Sequence, residues 1–159
     1  MTDLGRACVV VASTRAATGV YPDKSGPILS KSLSGLGFQV SEVVVVPDGD
    51  AVGEALRAAI GEHDVVLTSG GTGITPTDVT PQQTAPLLDY EVPQIPAAIA
   101  RFGVDKGIPT ALLSRGLAGV AGRTLVINLP GSSGGVRDAM EVLAPILPHA
   151  VSQLRGGDH

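Results

Sequence analysis

Thr68-Ser69-Gly70-Gly71-Thr72-Gly73-Ile74-Thr75-Pro76-Thr77-Asp78-Val79-Thr80-Pro81-Gln82-Gln83 is the stretch that decides how this chain folds. It follows Asp64-Val65-Val66-Leu67, an apolar run short enough for a buried strand. It closes on a helix start: Thr80 suits the N-cap, Pro81 the first helical position, and Gln83 falls where a capping box wants Glu or Gln. Strand, glycine-rich loop, carboxylate and helix N-terminus, in that order, build an anion site. Glycines let backbone N–H groups approach a phosphate, and Asp78 can hold the cation that neutralises it. No Lys follows Gly73, so this is not a P-loop, and GxGxxG is absent. The plain alternative is a strand-to-helix turn in which glycines supply positive φ and Asp78 is a solvated loop acid.

Upstream, residues 7–12 read as a first strand, apolar throughout and hence buried on both faces. Ser13-Thr14-Arg15 and a glycine-bearing loop lead to Asp23-Lys24-Ser25-Gly26-Pro27, where Ser25 or Gly26 can cap a helix beginning at Pro27. Leu29, Leu33 and Leu36 keep helical spacing, and Gly37 stops the helix. Residues 38–46, with four consecutive valines, read as the second strand. Pro47-Asp48-Gly49-Asp50 then turns into a helix with Val52, Ala55, Leu56, Ala59 and Ile60 on one face. Strands alternating with such helices imply right-handed βαβ units and a parallel sheet. Ligands bind beyond the carboxyl ends of such strands, where Ser13, Asp48 and Ser69 to Asp78 all fall.

Downstream, Ile95, Ile99 and Phe102 predict a helix from near Pro96, and residues 111–114 a short strand. A Gly/Ala-rich segment runs to Gly122, and residues 124–129 are the last strand. Pro130-Gly131-Ser132-Ser133-Gly134-Gly135 is a second glycine-rich turn. A final helix starts near Val136, with Pro145 kinking or splitting it. Gly156–His159 should fray. There is no repeat and no linker, so residues 1–159 read as a single domain.

Composition narrows the function classes. The 159 residues are 43% hydrophobic, 16% charged and 3% aromatic, without Trp, so the core must be built from Val, Leu, Ile and Ala. Base-stacking platforms for single-stranded nucleic acid and a flavin site are both disfavoured on that count. A net charge of −4 argues against a nucleic-acid or anionic-membrane surface. Cys8 sits in an apolar strand, a small buried hydrophobe rather than a nucleophile. His63, His149 and His159 lack metal-ligand spacing. No apolar run approaches 18 residues and no signal pattern opens the chain, which predicts a cytoplasmic protein.

Several ordered motifs together resemble the MoaB/Mog family of molybdenum cofactor biosynthesis proteins. They are the SGGTG and DVTP of residues 64–83, Leu113-Ser114-Arg115-Gly116, and Asn128-Leu129-Pro130-Gly131-Ser132. The opening Ser13-Thr14-Arg15, Asp23-Lys24-Ser25-Gly26-Pro27 and Pro47-Asp48 fit as well, so the likeness covers roughly residues 6–155. The resemblance implies a three-layer α/β/α sandwich with a mostly parallel sheet, assembled as a homotrimer. It implies Mg²⁺-dependent transfer of AMP from ATP to the terminal phosphate of molybdopterin, releasing pyrophosphate. The family's essential acids, which hold the metal, fall on Asp48 and Asp78. Its nucleotide and phosphate loop falls on Ser69, Gly70, Gly71, Thr72 and Gly73, and its pterin contacts on Ser13, Asp23, Ser114, Arg115 and Asn128. The molybdate-inserting enzyme of the pathway is the implied protein partner.

Plainer roles stay open for some of these residues. Asp48 can cap the helix near Gly49, Ser114 and Asn128 can bond turn backbone, and Arg115 can form a surface ion pair. The family often reads TPRDVTPE, whereas this chain carries Thr77 and Gln82, which reads as the compensated exchange of one ion pair or, alternatively, as weakened activity or an altered substrate preference. The alternative function is a molybdopterin-binding carrier or scaffold that does not adenylate. Leu117, Val120 and the alanines between Arg115 and Arg123 form a weakly charged stretch that a trimer would bury.

Overall fold

The structure, a computed structural model of the chain, describes residues 3–157. Strands β1 (Arg6–Ala12), β2 (Gln39–Val40), β3 (Val44–Val46), β4 (Val65–Ser69), β5 (Tyr90–Glu91), β6 (Ala118–Ala121) and β7 (Thr124–Leu129) form one sheet in the order β2-β1-β4-β7-β6-β5, with β3 also on β1. The strands from β2 to β7 in that order are parallel, whereas β6 and β5 join antiparallel. Helices are α1 (Thr14–Ala17), α2 (Ser25–Leu36), α3 (Asp50–Ala59), α4 (Thr80–Thr84), α5 (Gln94–Asp105), α6 (Ser133–Leu143) and α7 (Leu147–Leu154).

The period-2 side-chain alternation of a strand creates two cores from one sheet. Val9, Val11, Leu67, Ile127 and Leu129 point toward α2, α6 and α7, where Leu29, Leu33, Met140, Leu143 and Val151 meet them. Cys8, Val10, Ala12, Val66 and Val126 point the other way, onto Val52, Leu56 and Ala59 of α3. Helix, sheet and helix therefore make the three-layer α/β/α sandwich that the motifs implied. Each fully buried Val or Leu contributes about 1.5–3 kcal/mol, so the central strands β1, β4 and β7 fix the frame. Pro145 falls in the break between α6 and α7, splitting the last helix.

Several local expectations are corrected. Residues 38–46 are two strands: Val40 pairs with Ala7 and Val44 with Val10, so four steps on this edge oppose three on β1. That extra residue is a bulge, and the ladder breaks there. Residues 111–113 belong to a 3-10 turn, Pro109–Leu113, with Ser114 as its C-cap, and none of 111–114 is in a strand. The stretch offered as a trimer seam is instead β6, and Ala118, Val120 and Ala121 are buried in this chain's own sheet. Its composition therefore no longer argues for a trimer. Helix α2 starts at Ser25, with the Asp23 carboxylate accepting from the Gly26 N–H at 3.0 Å.

At α4, Thr80 is the first helical residue and forms no side-chain cap, while Gln83 reaches across to Asp50 at 3.3 Å instead of closing a capping box. Gly156 and Gly157 turn back onto Gln153 and Ser152. The rest of the expected frayed end, residues 158–159, lies outside the described residues.

Candidate functional site

The carboxyl ends of β1, β3, β4 and β7 come together at one rim of the sheet. Ser13 follows β1, and its Oγ accepts from the Ala16 N–H at 3.2 Å, which makes α1 a single capped turn. Asp48 follows β3. It does not cap α3, whose N-cap is Gly49. Its Oδ2 accepts from Oγ1 of Thr14 at 3.0 Å and from the Thr14 N–H at 3.3 Å, which ties the β3 end to the start of α1.

The loop after β4 opens with Gly70 at φ +96° and Gly71 at φ +70°, both in the left-handed region that favours glycine. Gly70 also passes close beneath the second glycine turn. Its N–H donates to Leu129 at 3.0 Å, and a Cβ on Gly131 would lie 3.3 Å from its Cα. Beneath them, Ser69 Oγ lies 2.9 Å from Ser25 Oγ and 2.8 Å from the Pro130 carbonyl. The two turns brace each other, so the loop backbone is held by buried neighbours.

Asp78 closes the loop, its Oδ2 accepting from the Thr75 N–H at 3.2 Å. Among the described residues no hydrogen bond engages Oδ1 of Asp48 or Oδ1 of Asp78. Such half-committed carboxylates fit a hard divalent cation, which takes one or two carboxylates and completes its shell with phosphate and water. No cluster of three or more His, Cys, Asp and Glu side chains exists among the described residues. A closed, all-protein metal cage is therefore not what these residues build.

Two cavities flank the loop. The larger, about 400 Å³, has Gly70 to Gly73, Asp78, Ser114 and Asn128 on one side. Pro96, Ile99 and Ala100 of α5, with Ile108 and Ala111, add apolar groups to its lining. The smaller, about 340 Å³, is lined by Ser13, Tyr21, Asp23, Lys24 and Ser69. They share Gly70, Gly131 and Ser132, so the glycine turns form the wall between them.

A family model described as "Probable molybdopterin binding domain" matches residues 8–149. The chain belongs to the molybdenum cofactor biosynthesis family. It is 34% identical over 153 residues to the molybdopterin adenylyltransferase of Helicobacter pylori, covering 93% of this chain and 86% of that one. It is 38% identical to the molybdenum cofactor biosynthesis bifunctional protein of Chlorobaculum tepidum, over 97% of this chain but only 50% of that relative's length. Among solved structures, the molybdopterin biosynthesis Mog protein from Mycobacterium ulcerans superposes with a TM-score of 0.89 at 52% identity. That match covers 94% of this chain and 98% of that one.

In this family member the motif residues meet at the rim, but not all in one way. Gly70 to Gly73, Asp78, Ser114 and Asn128 face the larger cavity, while Ser13, Asp23 and Ser69 face the smaller. The residues read as pterin contacts are thus divided between the two. Asn128 is buried, accepting from the Leu117 N–H at 3.0 Å and donating to Thr68 and Thr84 at 3.0 and 3.1 Å. Ser114 Oγ accepts from Gly116 at 3.3 Å. Among the described residues Arg115 makes no ion pair. Its guanidinium donates to Gly73 O, Asp78 O and Gln82 Oε1, clasping the loop from behind.

Local spacing missed Thr14, the partner of Asp48, and the packing of Gly131 onto Gly70. It also missed what Gln82 does: its amide oxygen faces Arg115 at 3.2 Å. The repeated glycine turn at residues 130–135 was the available signal for the second of these.

Proposed function

We propose that this chain is a Mg²⁺-dependent molybdopterin adenylyltransferase. A terminal phosphate oxygen of molybdopterin bonds to the α-phosphorus of ATP. The bond from that phosphorus to the bridging oxygen breaks, and its electron pair leaves with pyrophosphate. The attacking oxygen is already ionised at neutral pH, so the reaction asks for positioning and charge relief rather than a strong base. Among the described residues no His lines either cavity, and the proposed chemistry needs none.

The observation that carries the reading is the glycine loop set between Asp48 and Asp78, each with one oxygen committed to the protein and one not. Asp48 and Asp78 would hold the Mg²⁺, and backbone N–H groups of Gly70 to Gly73 would receive the triphosphate. When bound, the ion would neutralise phosphate charge. Ser13, Asp23, Ser114 and Asn128 are the proposed pterin contacts, while Arg115 serves the same ligand by fixing the loop. The adenylyltransferase named in Helicobacter pylori supports the reaction class. The resemblance supports a homotrimer and a pathway partner that inserts molybdate. Leu112 and Leu113, exposed at 68% and 50%, offer apolar surface for contact between copies.

Incubating the purified chain with ATP, Mg²⁺ and molybdopterin tests the proposal. Pyrophosphate and adenylated molybdopterin are the expected products. Molybdopterin binding without pyrophosphate would leave the carrier reading in its place.

A further inference from the structure

Among the described side chains, one buried polar atom lacks a hydrogen bond: Oγ1 of Thr80, whose residue is 1% exposed. Its backbone is fully engaged, the N–H donating to Gly71 at 3.1 Å and the carbonyl accepting from Thr84 at 2.8 Å. The hydroxyl does not cap α4. Leaving a buried hydroxyl without a partner is costly, so a protein that keeps one has a use for it.

That hydroxyl is aimed at a specific place. A Cβ added to Gly71 would strike Thr80 Oγ1 and would lie 3.2 Å from Asp48 Oδ1. Hydroxyl and carboxylate oxygen therefore converge on the space that the absent side chain of Gly71 leaves free. Asp48 Oδ2 is already spent on Thr14, so Oδ1 is the oxygen left to serve this space. A neutral hydroxyl beside an anionic carboxylate is an all-oxygen donor set, which suits Mg²⁺ or Mn²⁺ and not a thiolate- or imidazole-seeking metal.

Resting on the cation reading of Asp48 given above, we infer that Thr80 Oγ1 is a further ligand of that divalent cation, sharing it with Asp48 Oδ1 beneath Gly71. Cation binding then joins the first residue of α4 to the end of β3, and Gly71 is required at its position because any side chain there occupies the site. Thr80 is thereby a metal-binding residue that touches neither the pterin nor the adenine.

Mn²⁺ alone serves as the probe, titrated into the nucleotide-free full chain while electron paramagnetic resonance reads the unbound ion. Removing one oxygen ligand with Thr80→Val should weaken Mn²⁺ binding by roughly tenfold or more. Thr80→Ala should repeat that loss and Thr80→Ser should stay close to native. Metal-free Thr80→Val should melt at or above the native temperature, because its only lost group was an orphan. Native-like Mn²⁺ affinity in Thr80→Val, with affinity lost in Asp48→Ala, overturns the role of Thr80 and leaves Asp48 standing. A native chain that takes up no Mn²⁺ at millimolar concentration overturns both. A lower melting temperature in metal-free Thr80→Val also overturns the inference, since the hydroxyl then has an internal or water partner.

Discussion

Nη2 of Arg115 donates to the backbone carbonyl of Asp78 at 2.7 Å, across 37 positions of chain. The same guanidinium holds Gly73 O at 2.8 Å through Nε, and the Arg115 N–H holds Thr72 O at 2.7 Å. Arg115 thus fixes both the phosphate loop and the carboxylate that follows it. Its planar fork is matched to these diverging acceptors in a way that an ammonium group is not.

Replacing Arg115 should therefore loosen the loop before it affects any ligand contact. Arg115→Ala is expected to cost about 1–3 kcal/mol of stability, read from urea unfolding. Arg115→Lys should recover only part of it. Nucleotide affinity should fall in both, in the order Ala worse than Lys. Unchanged stability in Arg115→Ala would mean the clasp is dispensable.

Gln82 supplies the outer end of that clasp, 3.2 Å from Nη1 of Arg115. Gln82→Glu puts a carboxylate opposite the guanidinium at an exposed position, so a gain of about 0.5–1 kcal/mol is expected at low salt. Thermal melts at 20 mM and 500 mM NaCl check this: the gain should shrink as salt screens the pair. A salt-independent gain, or a loss, would place the new carboxylate elsewhere.

Gly71 at φ +70° faces Thr80 and Asp48. Gly71→Ala should cost about 1–2 kcal/mol from the left-handed backbone alone. It should also weaken ATP binding measured by calorimetry. The control is Gly134→Ala in α6, where a Cβ meets nothing within 4 Å. That change, in the first turn of α6, should stabilise by about 0.4–1 kcal/mol, because alanine restricts the unfolded chain where the native backbone already suits it. Equal effects at the two positions would remove the special status of Gly71.

Burial pushes the Cys8 thiol above its ordinary pKa, with a hydrogen bond from Ser41 partly offsetting the shift. The unfolded chain then loses the thiol proton first, so folding stability falls as pH rises above about 8.5. The decline continues until the folded thiol itself ionises. Cys8→Ala removes this slope. The stability difference between native and Cys8→Ala protein should therefore narrow with rising pH, by at most about 1.4 kcal/mol per unit. A difference that is flat from pH 8 to 10 would contradict the shift.

Much of this architecture was legible because β1, β4 and β7 are apolar on both faces and are separated by helices with clear apolar stripes. The antiparallel end of the sheet was not. In β6, Ala118-Gly119-Val120-Ala121 offers one β-branched residue, and Gly119 is there because the Tyr90 carbonyl of β5 presses against it. Small residues chosen for close approach carry no strand signal. Conversely, Leu112 and Leu113 gave an apolar run that reads as a strand, yet both are exposed on a 3-10 turn. At the site, the placement of the glycine loop, Asp48 and Asp78 after the strands was readable from local order, whereas the metal role of Asp48 was implied only by the family resemblance. The Arg115 clasp and the Thr14–Asp48 pair were not, since both join segments more than thirty residues apart.

The most direct test of the proposed chemistry is pyrophosphate release by native, Asp48→Ala and Asp78→Ala protein, each supplied with ATP, Mg²⁺ and molybdopterin. Circular dichroism checks that all three remain folded. Turnover is expected in the native chain, with a loss of at least roughly a hundredfold in each variant, the scale that follows when a preorganised electrostatic contact to the reacting phosphates is removed. Native-like pyrophosphate release by both folded variants would contradict it, because the glycine loop would then be working without the carboxylates on either side.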